Sequence, residues 1–169
     1  PDPGGIKVER VKDARSMLTA CEKALPVDMA ICTAAVADWR VDQISKYKLK
    51  KSESRTPQLK LVENPDILAS LSLSATQRPK LVVGFAAETE SDVTKLLEIA
   101  KEKRMVKGCD WILANNVSPN TGILGGNENI VHLISADGAE QWPPAAKTTV
   151  ADWLANRIVE YMQADDSMS

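Results

Sequence analysis

Apolar residues recur at helical spacing at Met17, Leu18, Cys21, Ala24 and Leu25, which predicts a helix over about Asp13 to Leu25, stopped by Pro26. The run from Met29 to about Ala35 predicts a buried strand. Gln58-Leu-Lys-Leu-Val62 alternates like a half-exposed strand, and Asn64-Pro65 then predicts a helix with Asn64 as N-cap and proline at the first helical position, ending near Leu73. Lys80-Leu-Val-Val-Gly-Phe85, between Pro79 and Glu88, has the pattern of a central parallel strand. Ser91 is expected to cap a long helix to Lys107, with Gly108 at its left-handed C-terminal position. Asp110 to Ala114 reads as the next strand, and Asn129 to Ile134 with Glu140 to Trp142 frames a hairpin around Ala136-Asp-Gly138. Thr149 with Asp152 has the form of a capping box for a last helix to about Met162, followed by a polar, frayed tail over 163–169.

Strands alternating with helices predict an α/β fold: a Rossmann-like, three-layer, mostly parallel sheet with an antiparallel addition near the C-terminus. The length of 169 residues suits a single domain with a real core. A formal net charge of -2 argues against a nucleic acid or an anionic membrane as partner, so any anion site must be a local cluster. Cys21, Cys32 and Cys109 lack metal-ligand spacing and read as reduced structural thiols. With no long apolar run and no signal-peptide pattern, the expected location is cytoplasmic. Pro1-Asp-Pro-Gly-Gly5 reads as a loop leading into Ile6-Lys-Val8, so the chain is expected to be a fragment of something longer.

Candidate chemistry sits at the ends of the apolar runs, where open α/β sheets keep their ligand sites. Asp38 follows Ala34-Ala-Val-Ala, small residues that allow a ligand close to the backbone; a solvated strand end has the same pattern. Lys48, Lys50 and Lys51 alternate with Leu49, either as a solvated face or as mobile cations for a polyphosphate. Asn64-Pro-Asp-Ile-Leu68 puts free N–H groups at a helix start, as any capped helix does. Phe85 is the only phenylalanine and ends a central strand, where it can support a base or fill the core. Lys103 and Lys107 share a helix face near the helix C-terminus, where basic residues also complement the dipole. His132, the only histidine, has no nucleophile pattern around it and reads as structural. Neither a Walker A sequence nor Gly-x-Gly-x-x-Gly occurs, which argues against a P-loop enzyme and a dinucleotide dehydrogenase.

In order and spacing, Ala34-Ala-Val-Ala-Asp38-Trp-Arg40, Lys48-Leu-Lys-Lys51, Asn64-Pro-Asp66, Gly84-Phe-Ala-Ala-Glu-Thr89 and Ala114-Asn-Asn-Val117 resemble motifs of the bacterial phosphopantothenate-cysteine ligase family. The resemblance runs from about Ile6 to about Tyr161 and is to the C-terminal domain of the bifunctional coenzyme A biosynthesis flavoproteins. It implies CTP-dependent ligation of 4'-phosphopantothenate with L-cysteine through an acyl cytidylate, with magnesium as cofactor. It assigns Lys48 the catalytic role and places Cys32, Thr33, Ala34, Asp38, Lys48, Pro65, Asp66, Ile67, Leu68, Phe85, Lys103 and Lys107 against the nucleotide. It also implies a homodimer and, in a longer parent, fusion to a flavin-dependent decarboxylase. Family members begin with a βαβ portion that contributes to the phosphopantothenate site. The sequence starts near the family's third strand, so the fragment is expected to bind CTP without completing the ligation. The alternative is a non-catalytic nucleotide-binding or dimerisation module.

Overall fold

The computed structural model describes residues 4–43, 58–123 and 125–168. In chain order its elements are α1 (Ala14–Ala24), β1 (Met29–Cys32), β2 (Trp39–Val41), β3 (Leu61–Glu63), α2 (Ile67–Ser72), β4 (Leu81–Glu88), α3 (Val93–Lys107), β5 (Trp111–Asn116), a 3-10 turn (Pro119–Thr121), β6 (Glu128–Asn129), β7 (His132–Ile134), β8 (Ala139–Gln141), β9 (Ala145–Ala146) and α4 (Lys147–Met168).

The main sheet has the order β1-β4-β5-β7-β8. β1, β4 and β5 run parallel, while β7 and β8 add on antiparallel as the predicted hairpin. β4 carries the longest apolar run, and alternation sends its side chains into both layers. Leu81 and Val83 join Trp111, Leu113 and Leu133 under Val150, Leu154 and Ile158 of α4, spaced four apart along one helix face. Val82 and Ala86 join Ile112, Ala114 and Ile134 under Leu96 and Ala100 of α3, with Leu68 of α2 beside them. The result is the expected three-layer α/β arrangement. β2–β3 and β6–β9 form separate antiparallel pairs.

Several boundaries differ from the sequence reading, each for a local reason. β1 stops at Cys32, and its Ile31 is 44% exposed, because β1 is the sheet edge and its side chains on the α4 side lie beyond that helix's core. β2 falls in a stretch without a sequence pattern and forms by pairing with β3, which starts at Leu61 rather than Gln58. Asn64 does not cap α2; Asp66 does, accepting the Ala69 N–H at 3.0 Å. Asp92, not Ser91, caps α3, accepting the N–H groups of Thr94 and Lys95. Gly108 does take the left-handed position there, with φ 67. Asn129 belongs to the separate pair with Ala145, so the predicted first hairpin strand is divided into β6 and β7. α4 begins at Lys147, whose N–H is held by the Asn127 carbonyl at 2.8 Å, so Thr149 lies inside the helix and caps nothing. α4 continues past Met162 to Met168.

Candidate functional site

The register fixes where the parallel strands end. Cys32 pairs with Gly84, and Gly84 with Ile112, so β4 continues from Phe85 to Glu88 beyond the last residue of β1. The chain leaves β1 there through Thr33 and Ala34, both exposed, and crosses to Asp38 and β2. A step of this kind at the C-terminal end of a parallel sheet is the ordinary place for a ligand crevice.

Pro65, Asp66, Ile67 and Leu68 form the second wall. Ile67 is buried, and Leu68 lies over Gly84 so closely that a Cβ on that glycine would stand 2.5 Å from Leu68 Cδ2. Glycine at this position in β4 lets α2 sit this low on the sheet without displacing the ends of the Leu68 and Ile112 side chains. The two walls are joined by Asn64: its N–H donates to the Asp38 carbonyl at 2.7 Å and its Nδ2 to the Ala37 carbonyl at 2.8 Å.

Lys107 closes the third side, donating from its ammonium to the Asp66 carboxylate. Burial acts to raise the Asp66 pKa, but the Ala69 N–H and Lys107 outweigh it and hold the carboxyl below its ordinary value. Lys103, one turn earlier, pairs with Glu88 at 2.5 Å. Each lysine therefore has a carboxylate partner already in place, and the crevice carries no bare charge at these two positions. Burial pushes the Cys32 thiol up, with Cys21 and the Asp66 charge adding to it, so Cys32 is a neutral thiol beside this acid–base pair. Cys109 is pushed up to about 11 by burial, and all three cysteines are free thiols.

Phe85 is 39% exposed, so it is not a core residue. Alternation along β4 puts it on the face of Val83 and α4, whereas Glu88, Lys103 and Lys107 belong to the α3 side. The structure thus brings together Asp38, Asn64, Asp66, Leu68 and Lys107, places Lys103 beside Glu88, and sets Phe85 across the strand from the lysines. Lys48, with Lys50 and Lys51, lies outside the described residues. His132 is 4% exposed within β7, in line with a structural role.

Two site-wall residues were missed in the sequence. Asn64 reads as a cap, and Glu88 reads as the end of an apolar run; the available signal for Glu88 was its even spacing from Val82 and Ala86, which puts it on the α3 side. Asn115 donates to the Asn129 side chain at 3.0 Å, and Asn116 accepts the Ser118 N–H at 2.8 Å.

A cavity of about 510 Å3 lined by Trp111, Leu133, Glu140, Arg157 and Tyr161 lies on the α4 face of the sheet at the start of β5. Its guanidinium is engaged by Glu140 at 2.5 Å and Glu160 at 3.4 Å, and none of the strand-end residues reaches it. Among the described residues, no group of three or more histidine, cysteine, aspartate or glutamate side chains is placed to hold a metal ion. Among the same residues no helix is long and apolar enough to cross a membrane.

Residues 1–162 match the family described as DNA/pantothenate metabolism flavoprotein, C-terminal domain. The chain belongs to this family. Curated relatives include the coenzyme A biosynthesis bifunctional protein CoaBC of Escherichia coli, 35% identical over 162 residues covering 94% of this chain and 39% of that protein. The Mycobacterium tuberculosis protein of the same name is 32% identical over 167 residues, covering 95% of this chain and 40% of that protein. The chain therefore spans about two fifths of the length of these relatives. Among solved structures, the C-terminal domain of a CoaBC protein superposes with a TM-score of 0.66 at 30% identity, over 92% of this chain and 67% of that one. The DNA/pantothenate metabolism flavoprotein from Streptococcus pneumoniae reaches 0.75 at 17% identity, over 95% of this chain and 76% of that one, and supports the fold.

Proposed function

We propose that this domain is the nucleotide-facing part of a coenzyme A biosynthetic ligase that joins 4'-phosphopantothenate to L-cysteine at the expense of CTP. The observation that carries the reading is the gathering of Asp38, Asp66, Leu68 and Lys107 at the C-terminal end of β1, level with Gly84 of β4, with Lys103 close by, in a chain of this family. In this reading the 4'-phosphopantothenate carboxylate attacks the α-phosphate of CTP and expels pyrophosphate. The amine of cysteine then attacks the acyl cytidylate carbonyl and expels CMP. Lys103 and Lys107 exchange their carboxylate partners for phosphate oxygens, Asp38 and Phe85 orient the nucleoside, and Lys48 neutralises charge building on the phosphates.

With no carboxylate cluster fitted to a metal among the described residues, magnesium would be held chiefly by the triphosphate, where it supplies charge neutralisation. A homodimer and fusion to a flavin-dependent decarboxylase belong to the same proposal. The reading to be separated from it is a module that binds CTP without turning it over. Pyrophosphate release from CTP that depends on 4'-phosphopantothenate separates the two. Release that falls by about 100-fold in Lys48→Ala supports the ligase, the usual size for losing one charged transition-state donor. CTP binding with no release supports the second reading.

A further inference from the structure

We propose that Asn64 is a positioning residue, which fixes the backbone carrying Asp38 and thereby couples that residue to the α2 wall for nucleotide binding. The inference rests on the nucleotide reading above for the nature of the ligand and on geometry for the coupling.

Asn64 precedes Pro65, and the proline ring biases the residue before it toward extended conformations. An extended residue outside a helix has its N–H and side chain available to a neighbouring segment. Asp66 has taken the capping role, which leaves the Asn64 amide for another partner. Both of its donors go to consecutive carbonyls, the N–H to Asp38 at 2.7 Å and Nδ2 to Ala37 at 2.8 Å. One hydrogen bond holds a single peptide plane; two bonds to successive carbonyls hold both planes that flank the Asp38 Cα. Immediately beyond, Trp39 pairs with Glu63, and the Arg40 guanidinium donates to the Glu63 carbonyl, so the grip continues a short ladder.

On the other side of Asp38, between Cys32 and Ala37, the backbone bond among the described residues is the local turn from the Val36 N–H to the Ala34 carbonyl at 3.1 Å. Among the described residues, Asp38 is thus held from the Asn64 side. Asn64 also stands two residues before Asp66, which holds Lys107. A single half-buried amide thus joins the exposed aspartate to the wall that carries the lysine contact.

The test is a double-mutant cycle on magnesium-CTP affinity by titration calorimetry, with Asn64→Ala, Asp38→Asn and the pair. Asp38→Asn keeps the carbonyl that Asn64 holds. Asn64→Ala should weaken binding about tenfold, and the double variant should lie within about twofold of Asp38→Asn alone, because the two residues act through one another. Additive losses overturn the proposal. Amide hydrogen exchange without nucleotide forms the second arm: residues 36–40 should exchange faster in Asn64→Ala while β4 and β5 keep their rates. Unchanged exchange at 36–40 overturns the grip itself. Absence of CTP binding by the wild type would overturn the nucleotide reading, while the exchange arm still decides whether Asn64 holds the segment. Asn64→Asp keeps the volume and the main-chain bond while replacing the Nδ2 donor with an acceptor; it takes the place of Asn64→Ala if that variant does not fold.

Discussion

The Asp66 carboxylate does two things at once: one oxygen caps α2 by accepting the Ala69 N–H at 3.0 Å, and the other accepts the Lys107 ammonium from α3. Asp66→Ala should cost about 1 kcal/mol, the usual loss for a capping residue, measured by urea unfolding. The Asp66 pKa is held below its ordinary 3.8 in the folded protein, so between the two values the unfolded chain binds the extra proton. The stability difference between wild type and Asp66→Asn should therefore be fully present at neutral pH and shrink as the pH falls through and below 3.8. A difference that stays constant into acid would show that the Ala69 N–H and Lys107 together do not favour the charged carboxylate.

Much of this arrangement was legible in the sequence, because the apolar run of β4, the hairpin at Gly138 and the left-handed Gly108 are dictated locally. The choice between Asn64 and Asp66 as cap was not. Both are capping residue types, and the decision comes from the Ala37 and Asp38 carbonyls, which belong to a segment distant in sequence. The exposure of β1 was likewise hidden, since an apolar run does not reveal whether its strand is central or at an edge. That Phe85 faces away from Lys103 and Lys107 follows from alternation along β4, and the sequence motifs alone did not say which helix covers which face.

Phe85 is half-exposed on the α4 side of β4, which runs on past it to Glu88 rather than ending there. Phe85→Leu should cost no more than about 1 kcal/mol in stability while weakening CTP binding through loss of the ring face. Thermal melting and calorimetry on the same sample check this. A large fall in melting temperature with unchanged affinity would return Phe85 to the core.

Gly84 has its Cα beneath Leu68, and an added Cβ would lie 2.5 Å from Leu68 Cδ2 and 2.9 Å from Ile112 Cδ1. Gly84→Ala should destabilise by about 1–3 kcal/mol through overpacking. Adding Leu68→Ala should recover part of that loss, so the two changes will be non-additive in denaturant titration. Strict additivity would mean that α2 does not rest on this glycine.

His132 is the only histidine, and burial lowers its pKa below 6.5. On acidification through 6.5 the unfolded chain takes up a proton that the folded chain does not, so stability falls until the folded pKa is reached. Urea midpoints measured on either side of 6.5 should show this slope in wild type and a smaller one in His132→Leu. Equal slopes would contradict a buried neutral imidazole.

The nucleotide assignment is tested most directly by titration calorimetry of the wild-type chain with magnesium-CTP and magnesium-ATP. The ligase reading predicts saturable CTP binding that is tighter than ATP binding, weakened in both Lys107→Met and Asp38→Asn. Equal or tighter binding of ATP, or CTP affinity indifferent to both substitutions, would contradict it.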